Sequence, residues 1–126
     1  MSLRVSQRGF TLIELVAVLV ILGVLASIAV PKYYDLTREA QNRGALQAVT
    51  EGKACLTIQY AQFFLEKAAP PGVNSLVAAV GTTTNVGDYT LEFVPLGGAS
   101  SQIKIIASGR GNVLGTNSGL WQLPAN

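Results

Sequence analysis

The sequence predicts an α+β chain. A long N-terminal helix, kinked at Pro31, is apolar enough in its first half to span a membrane. Its second half packs on a small antiparallel sheet of about three strands. Three observations carry this. From Phe10 to Val30 the side chains are almost wholly apolar. Ala45, Ala48, Val49, Gly52, Cys55, Leu56, Tyr60, Phe63 and Phe64 then recur at spacings of three and four, which places them on one helical stripe. Finally, Tyr89–Val94 and Gln102–Ala107 alternate apolar and polar residues as half-buried strands do, and Leu120–Leu123 adds a shorter run around Trp121.

At 1.5 Å per residue the first apolar run makes a helix of roughly 30 Å, enough to cross a bilayer core. Glu14 interrupts it. A carboxylate there costs on the order of 3 kcal/mol unless it is neutral, interfacial or paired, so an acid at this position marks a functional site. Residues 1–9 are short and polar and carry Arg4 and Arg8 without an acid. They have the character of the basic start of an export signal, and the positive-inside bias puts them in the cytoplasm. Ala26-Ser27-Ile28-Ala29 is a poor approximation to a conventional signal-peptidase site, and it lies in what reads as continuous helix.

Pro31 removes one helical hydrogen bond and disfavours helical geometry at Val30. No turn cluster follows, however, and helix-compatible sequence runs on to about Lys67. Lys32-Tyr33-Tyr34-Asp35 has the composition of an interfacial aromatic belt. Arg38 to Arg43 is polar, with Glu39 and Arg43 spaced for an i,i+4 pair. Cys55 reads as a small core residue. Ala69-Pro70-Pro71-Gly72 is the clearest breaker in the chain. Asn74–Val80 reads as a short helical turn capped by Asn74 and ended at Gly81, and Thr82–Asn85 as loop. Gly97-Gly98 and Gly109-Arg110-Gly111-Asn112 supply turns between the strands. The only long amphipathic partner for the apolar face of the sheet is the stripe from Ala45 to Phe64.

Composition narrows the function. The formal charge of +2 comes from Arg4 and Arg8, and removing residues 1–9 leaves seven basic and seven acidic side chains. No basic stripe points to nucleic acid. There is no histidine, which removes Ser-His and Cys-His nucleophile pairs and most zinc sites. The one cysteine cannot form an internal disulfide. Nothing places Lys53 or Lys67 beside a serine as a nucleophile pair. The expectation is a chain without catalytic residues, metal ligands or a cofactor.

Arg8-Gly9-Phe10-Thr11-Leu12-Ile13-Glu14-Leu15-Val16 resembles the signature of type IV prepilins and the related type II secretion pseudopilins: a short basic leader ending in Gly, then Phe, then Glu, then an apolar run. Pro31 also falls where such proteins often carry proline. The resemblance covers about the first third of the chain. It implies that a prepilin peptidase cuts after Gly9 and methylates the new amine of Phe10, so that the apolar helix is kept. It further implies a helical homopolymer, assembled by pilus or secretion machinery from a precursor held in inner-membrane lipid. The precursor has its N-terminus in the cytoplasm and its head in the periplasm, and the product is a surface pilus or a periplasmic pseudopilus.

On this view the chain divides into a leader (1–9), an apolar membrane and assembly helix (10–30), a soluble continuation of the helix (31–69) and a C-terminal head (70–126). Glu14 can pair with the Phe10 amine of its own helix or of a neighbour, and the resemblance favours the neighbour. Gly23 and Pro31 mark where the helix is weakest, because glycine costs about 1 kcal/mol in a helix interior and proline about 3. The leading reading is a structural subunit of a type IV pilus; a type II secretion pseudopilin or a minor pilin is the alternative, and a membrane-anchored enzyme or ligand-binding domain is the alternative of a different class. Asp88 and Glu92 are too few acids for the calcium site typical of the major pseudopilin, whereas the disulfide of many type IVa pilins is missing too.

Overall fold

A computed structural model describes residues 9–97 and 101–124. Residues 1–8 of the predicted leader, and Gly98 of the predicted Gly97-Gly98 turn, lie outside them. The order of elements is α1 (Leu12–Lys67), α2 (Val73–Val80), β1 (Thr83–Val86), β2 (Tyr89–Leu96), β3 (Gln102–Gly109) and β4 (Thr116–Gln122). The chain forms two compact units, one up to Leu36 and the other from Thr37 onward.

The first unit is helix alone. α1 continues through Pro31, and every described residue up to Leu36 faces outward. A helix with apolar side chains all round has no reason to stay bare in water, and such a surface belongs in lipid or against other helices.

The second unit is one helix face on a four-stranded antiparallel sheet of order β1-β2-β3-β4. The register runs from Thr83↔Glu92 in the first pair to Leu91↔Ala107 in the second and Ile103↔Trp121 in the third. Leu91, Phe93, Ile103, Ile105, Ala107 and Trp121 point inward and meet Ala45, Ala48, Val49 and Leu56 of α1 and Leu76 and Val77 of α2 in a single core. Gly52 lets the helix approach closely. A Cβ there would lie 3.1 Å from Leu91 Cδ1 and 3.2 Å from Ile105 Cγ2, tighter than ordinary packing. Polar contacts fix the docking. The Tyr89 hydroxyl donates to the Gln41 carbonyl at 2.7 Å, and Trp121 Nε1 donates to Thr57 Oγ1 at 3.1 Å. The side-chain oxygens of Gln41 and Asn42 accept from the backbone N–H groups of Leu114 and Thr116. The polar zone of α1 thereby anchors the β3–β4 connection.

Several expectations are corrected. The sheet has four strands rather than about three. Thr83–Val86 is strand, not loop, because Gly87 at φ 55° reverses the chain tightly enough to pair it with β2. β4 begins at Thr116, where ladder pairing with β3 prevails over the turn-like composition of Thr116-Asn117-Ser118-Gly119. The residue capping α2 is Gly72 rather than Asn74, and the Gly81 N–H closes its end on the Val77 carbonyl. Cys55 is exposed, and Phe64 remains 46 % exposed, so neither belongs to the core. Each lies just beyond the arc of α1 that the sheet covers.

Candidate assembly site at the start of the apolar helix

The sequence at the start of α1 dictates a cap. A helix leaves its first backbone N–H groups without partners, and Thr at the N-cap with Glu three residues later satisfies two of them reciprocally. Thr11 and Glu14 do this. The Thr11 N–H donates to Glu14 Oε2 at 3.0 Å, and the Glu14 N–H donates to Thr11 Oγ1 at 3.3 Å. The Leu15 N–H then bonds the Thr11 carbonyl at 3.2 Å, the first turn of the helix proper. Sequence reasoning singled out Glu14 but missed Thr11 as its partner, although the Thr-x-x-Glu spacing was there to find.

The cap gives Glu14 a local role and leaves it capacity for another. An ionised carboxylate has two oxygens and about four acceptor directions, of which the Thr11 N–H occupies one. The helix N-terminus also carries a partial positive charge that favours an anion there. Phe10, 89 % exposed, stands immediately before the cap. Phe10, Glu14, Leu15, Val18 and Leu19 line one shallow hollow, so the expected modified residue and the expected assembly acid share a surface. A cation brought there would find a carboxylate with a free oxygen beside exposed apolar side chains.

The other predicted positions do not join this cluster. A Cβ on Gly9 would meet nothing within 4 Å, so packing within the chain gives no reason for glycine there. The same is true of Gly23, where the helix carries the cost of glycine without gaining a close intrachain approach. Pro31 lies inside α1 and leaves the Ser27 carbonyl without its helical donor, while the Ser27 hydroxyl donates to the Val24 carbonyl at 2.6 Å. α1 is the one helix among the described residues long and apolar enough to cross a membrane by length and composition.

Residues 4–30 match the family model of the prokaryotic N-terminal methylation motif. Over 92 % of its length the chain is 34 % identical to a fimbrial protein of Pseudomonas aeruginosa and covers 84 % of that relative. It is 31 % identical to a fimbrial protein of Neisseria meningitidis serogroup B over 91 % of the chain and 65 % of the relative. To a type IV major pilin protein of Neisseria gonorrhoeae it is 28 % identical over 91 % of the chain and 68 % of the relative. The chain thus spans only about two thirds of the length of the Neisseria proteins it matches. No solved structure matches it. The motif, the bare apolar helix and the similarity over nine-tenths of the chain agree: the chain belongs to the type IV pilin family.

Proposed function

We propose that the chain is a structural subunit of a type IV pilus, made as a single-pass inner-membrane precursor and polymerised through its N-terminal helix. The observation that carries this is the outward-facing apolar surface of α1 directly behind a Phe10–Glu14 pair that shares one hollow. The names of the relatives favour a pilus over a pseudopilus.

In this reading Arg4 and Arg8 hold the leader in the cytoplasm, and a prepilin peptidase cuts between Gly9 and Phe10. Gly9, without a Cβ, adopts an extended conformation and crowds the protease little. The cut leaves Phe10 alone ahead of the Thr11–Glu14 cap, as an amine that titrates near ~8 before methylation and is cationic at neutral pH. The free acceptor capacity of Glu14 then meets the Phe10 amine of a neighbouring subunit. Pairing offsets the burial of both charges without adding much net stability, so the contact sets register while apolar helix packing drives association. Repetition of one heterologous contact that does not close on itself generates an open helical filament. The stretch between Gly23 and Pro31 is where α1 yields if assembly demands it.

The test is electron microscopy of cells with and without the gene product, alongside Gly9→Leu. Filaments that depend on the chain, and an uncut Gly9→Leu precursor retained in the membrane, are expected. Efficient processing of Gly9→Leu would refute the assignment of Gly9.

A further inference from the structure

Where the polar zone of α1 meets the β3–β4 connection, Arg38, Gln41, Asn42, Leu114, Gly115 and Thr116 line a hollow of about 450 Å³. Arg38 stands three and four residues before Gln41 and Asn42, so the three share one helix face. The hollow is rich in hydrogen-bond donors, and none of its lining residues is acidic. Gln41 Oε1 accepts from the Leu114 N–H at 3.2 Å, and Asn42 Oδ1 accepts from the Thr116 N–H at 3.4 Å. A backbone N–H requires the amide oxygen, so each side chain keeps its NH2 group as a donor. Neither amide nitrogen has a hydrogen bond among the described residues. Arg38 has no ion pair there either, and the neighbouring Glu39 is engaged by Arg43 at 3.1 Å. The walls are held in place: the Gln41 carbonyl accepts from the Tyr89 hydroxyl, and the buried Gly115 packs its backbone against that of Gln41, where a Cβ would collide.

We propose that this hollow binds the phosphate group of a small organic ester, a function that goes beyond the pilus-subunit reading and does not depend on it. Spare donors on fixed walls are preorganised for an anion, because little has to be ordered when it arrives. The guanidinium fork, two amide NH2 groups and the Thr116 hydroxyl supply more donors than the two oxygens of a carboxylate take up, whereas a phosphate group presents three or more. Nucleic acid fits poorly, since its affinity rests on several cations and Arg38 is the only one lining the hollow. The size is that of a small-molecule site and leaves room beside the phosphate for the organic part, against Leu114. Two sources share this chemistry. One is a soluble ester, and the other is a phospholipid headgroup, because Arg38 comes four residues after Tyr34 of the aromatic pair read as an interfacial belt.

The test is titration calorimetry of the full-length chain in an uncharged detergent at constant ionic strength. Glycerol 3-phosphate is the soluble probe, short-chain phosphatidic acid the lipid probe and acetate the competitor. Arg38→Gln is compared with Arg110→Gln, an exposed arginine outside the hollow, and with Thr116→Val, which keeps the backbone bond to Asn42. Arg38 is exposed, so its replacement leaves the core untouched. Saturable binding of a phosphate probe is expected, weakened about tenfold or more by Arg38→Gln, less by Thr116→Val and not by Arg110→Gln. Binding of glycerol 3-phosphate would assign the site to a soluble ester, and binding of phosphatidic acid alone would assign it to a headgroup. Failure of both probes to saturate, equal weakening by Arg38→Gln and Arg110→Gln, or displacement by acetate at equal concentration would overturn the inference and leave the pilus reading intact.

Discussion

At the scale of single residues, Glu14 holds the Thr11 N–H and, on the proposed reading, also meets a neighbour's amine, and mutation can separate the two. Thr11→Ala removes the hydroxyl that accepts from the Glu14 N–H and leaves the carboxylate with its own bond, costing the helix start about 1 kcal/mol. Glu14→Ala removes the carboxylate that accepts from the Thr11 N–H together with the proposed partner for a neighbour's amine, and an unpaired buried charge costs several times more. The expected outcome is a modest loss of filaments from Thr11→Ala and a loss of more than about tenfold from Glu14→Ala, with cleavage intact in both. Equal filament yields from the two variants, measured in sheared fractions, would show that Glu14 acts only as a cap. Ala68 illustrates a residue whose chemistry and position disagree. It ends α1 at φ 49°, a left-handed conformation in which Cβ crowds the following carbonyl, and its N–H bonds the Phe64 carbonyl at 2.9 Å. Ala68→Gly should raise stability by about 0.5–1 kcal/mol in thermal unfolding of the detergent-solubilised chain. No change, or a loss, would contradict that account of the helix end.

At the scale of elements, α1 was the most legible part of the chain. Its apolar run, its continuation through Pro31 and its end near Lys67 follow from periodicity and from the Ala69-Pro70-Pro71-Gly72 breaker. The core strands β2 and β3 were legible too, because Leu91, Phe93, Ile103, Ile105 and Ala107 alternate cleanly and are buried. Of the edge strands, β1 was not read and β4 was read only from Leu120, around the buried Trp121. The rest of these strands is largely Thr, Asn, Ser and Gly, which carry little periodic signal and are held by ladder pairing. Nor could the sequence reveal what Gln41 and Asn42 bind, since their partners at Leu114 and Thr116 are more than seventy residues away. This anchoring makes Gly115 exacting. A Cβ there would run into the backbone of Gln41, so Gly115→Ala should lower stability by about 1–3 kcal/mol in the same unfolding assay. An unchanged melting temperature would mean that the connection does not sit on α1 as described.

At the scale of the whole molecule, the chain gives its two units different solvents. From Thr37 onward, one face of α1 and the sheet enclose a core of ordinary composition, whereas none of the described residues 9–36 is buried within the chain. The head encloses a core of its own, while the described apolar helix up to Leu36 has none within the chain. The N-terminal motif was the most legible functional signal because the chemistry it implies lies in one contiguous stretch. The central claim is that the apolar helix is kept and that the processed chain begins at Phe10. The most direct measurement is the intact mass of the subunit from sheared filaments. The account predicts a subunit whose N-terminal residue is Phe10, carrying one added methyl group on its amine. A subunit that begins at Met1, or one cut beyond Ala29 and so lacking the helix, would contradict it.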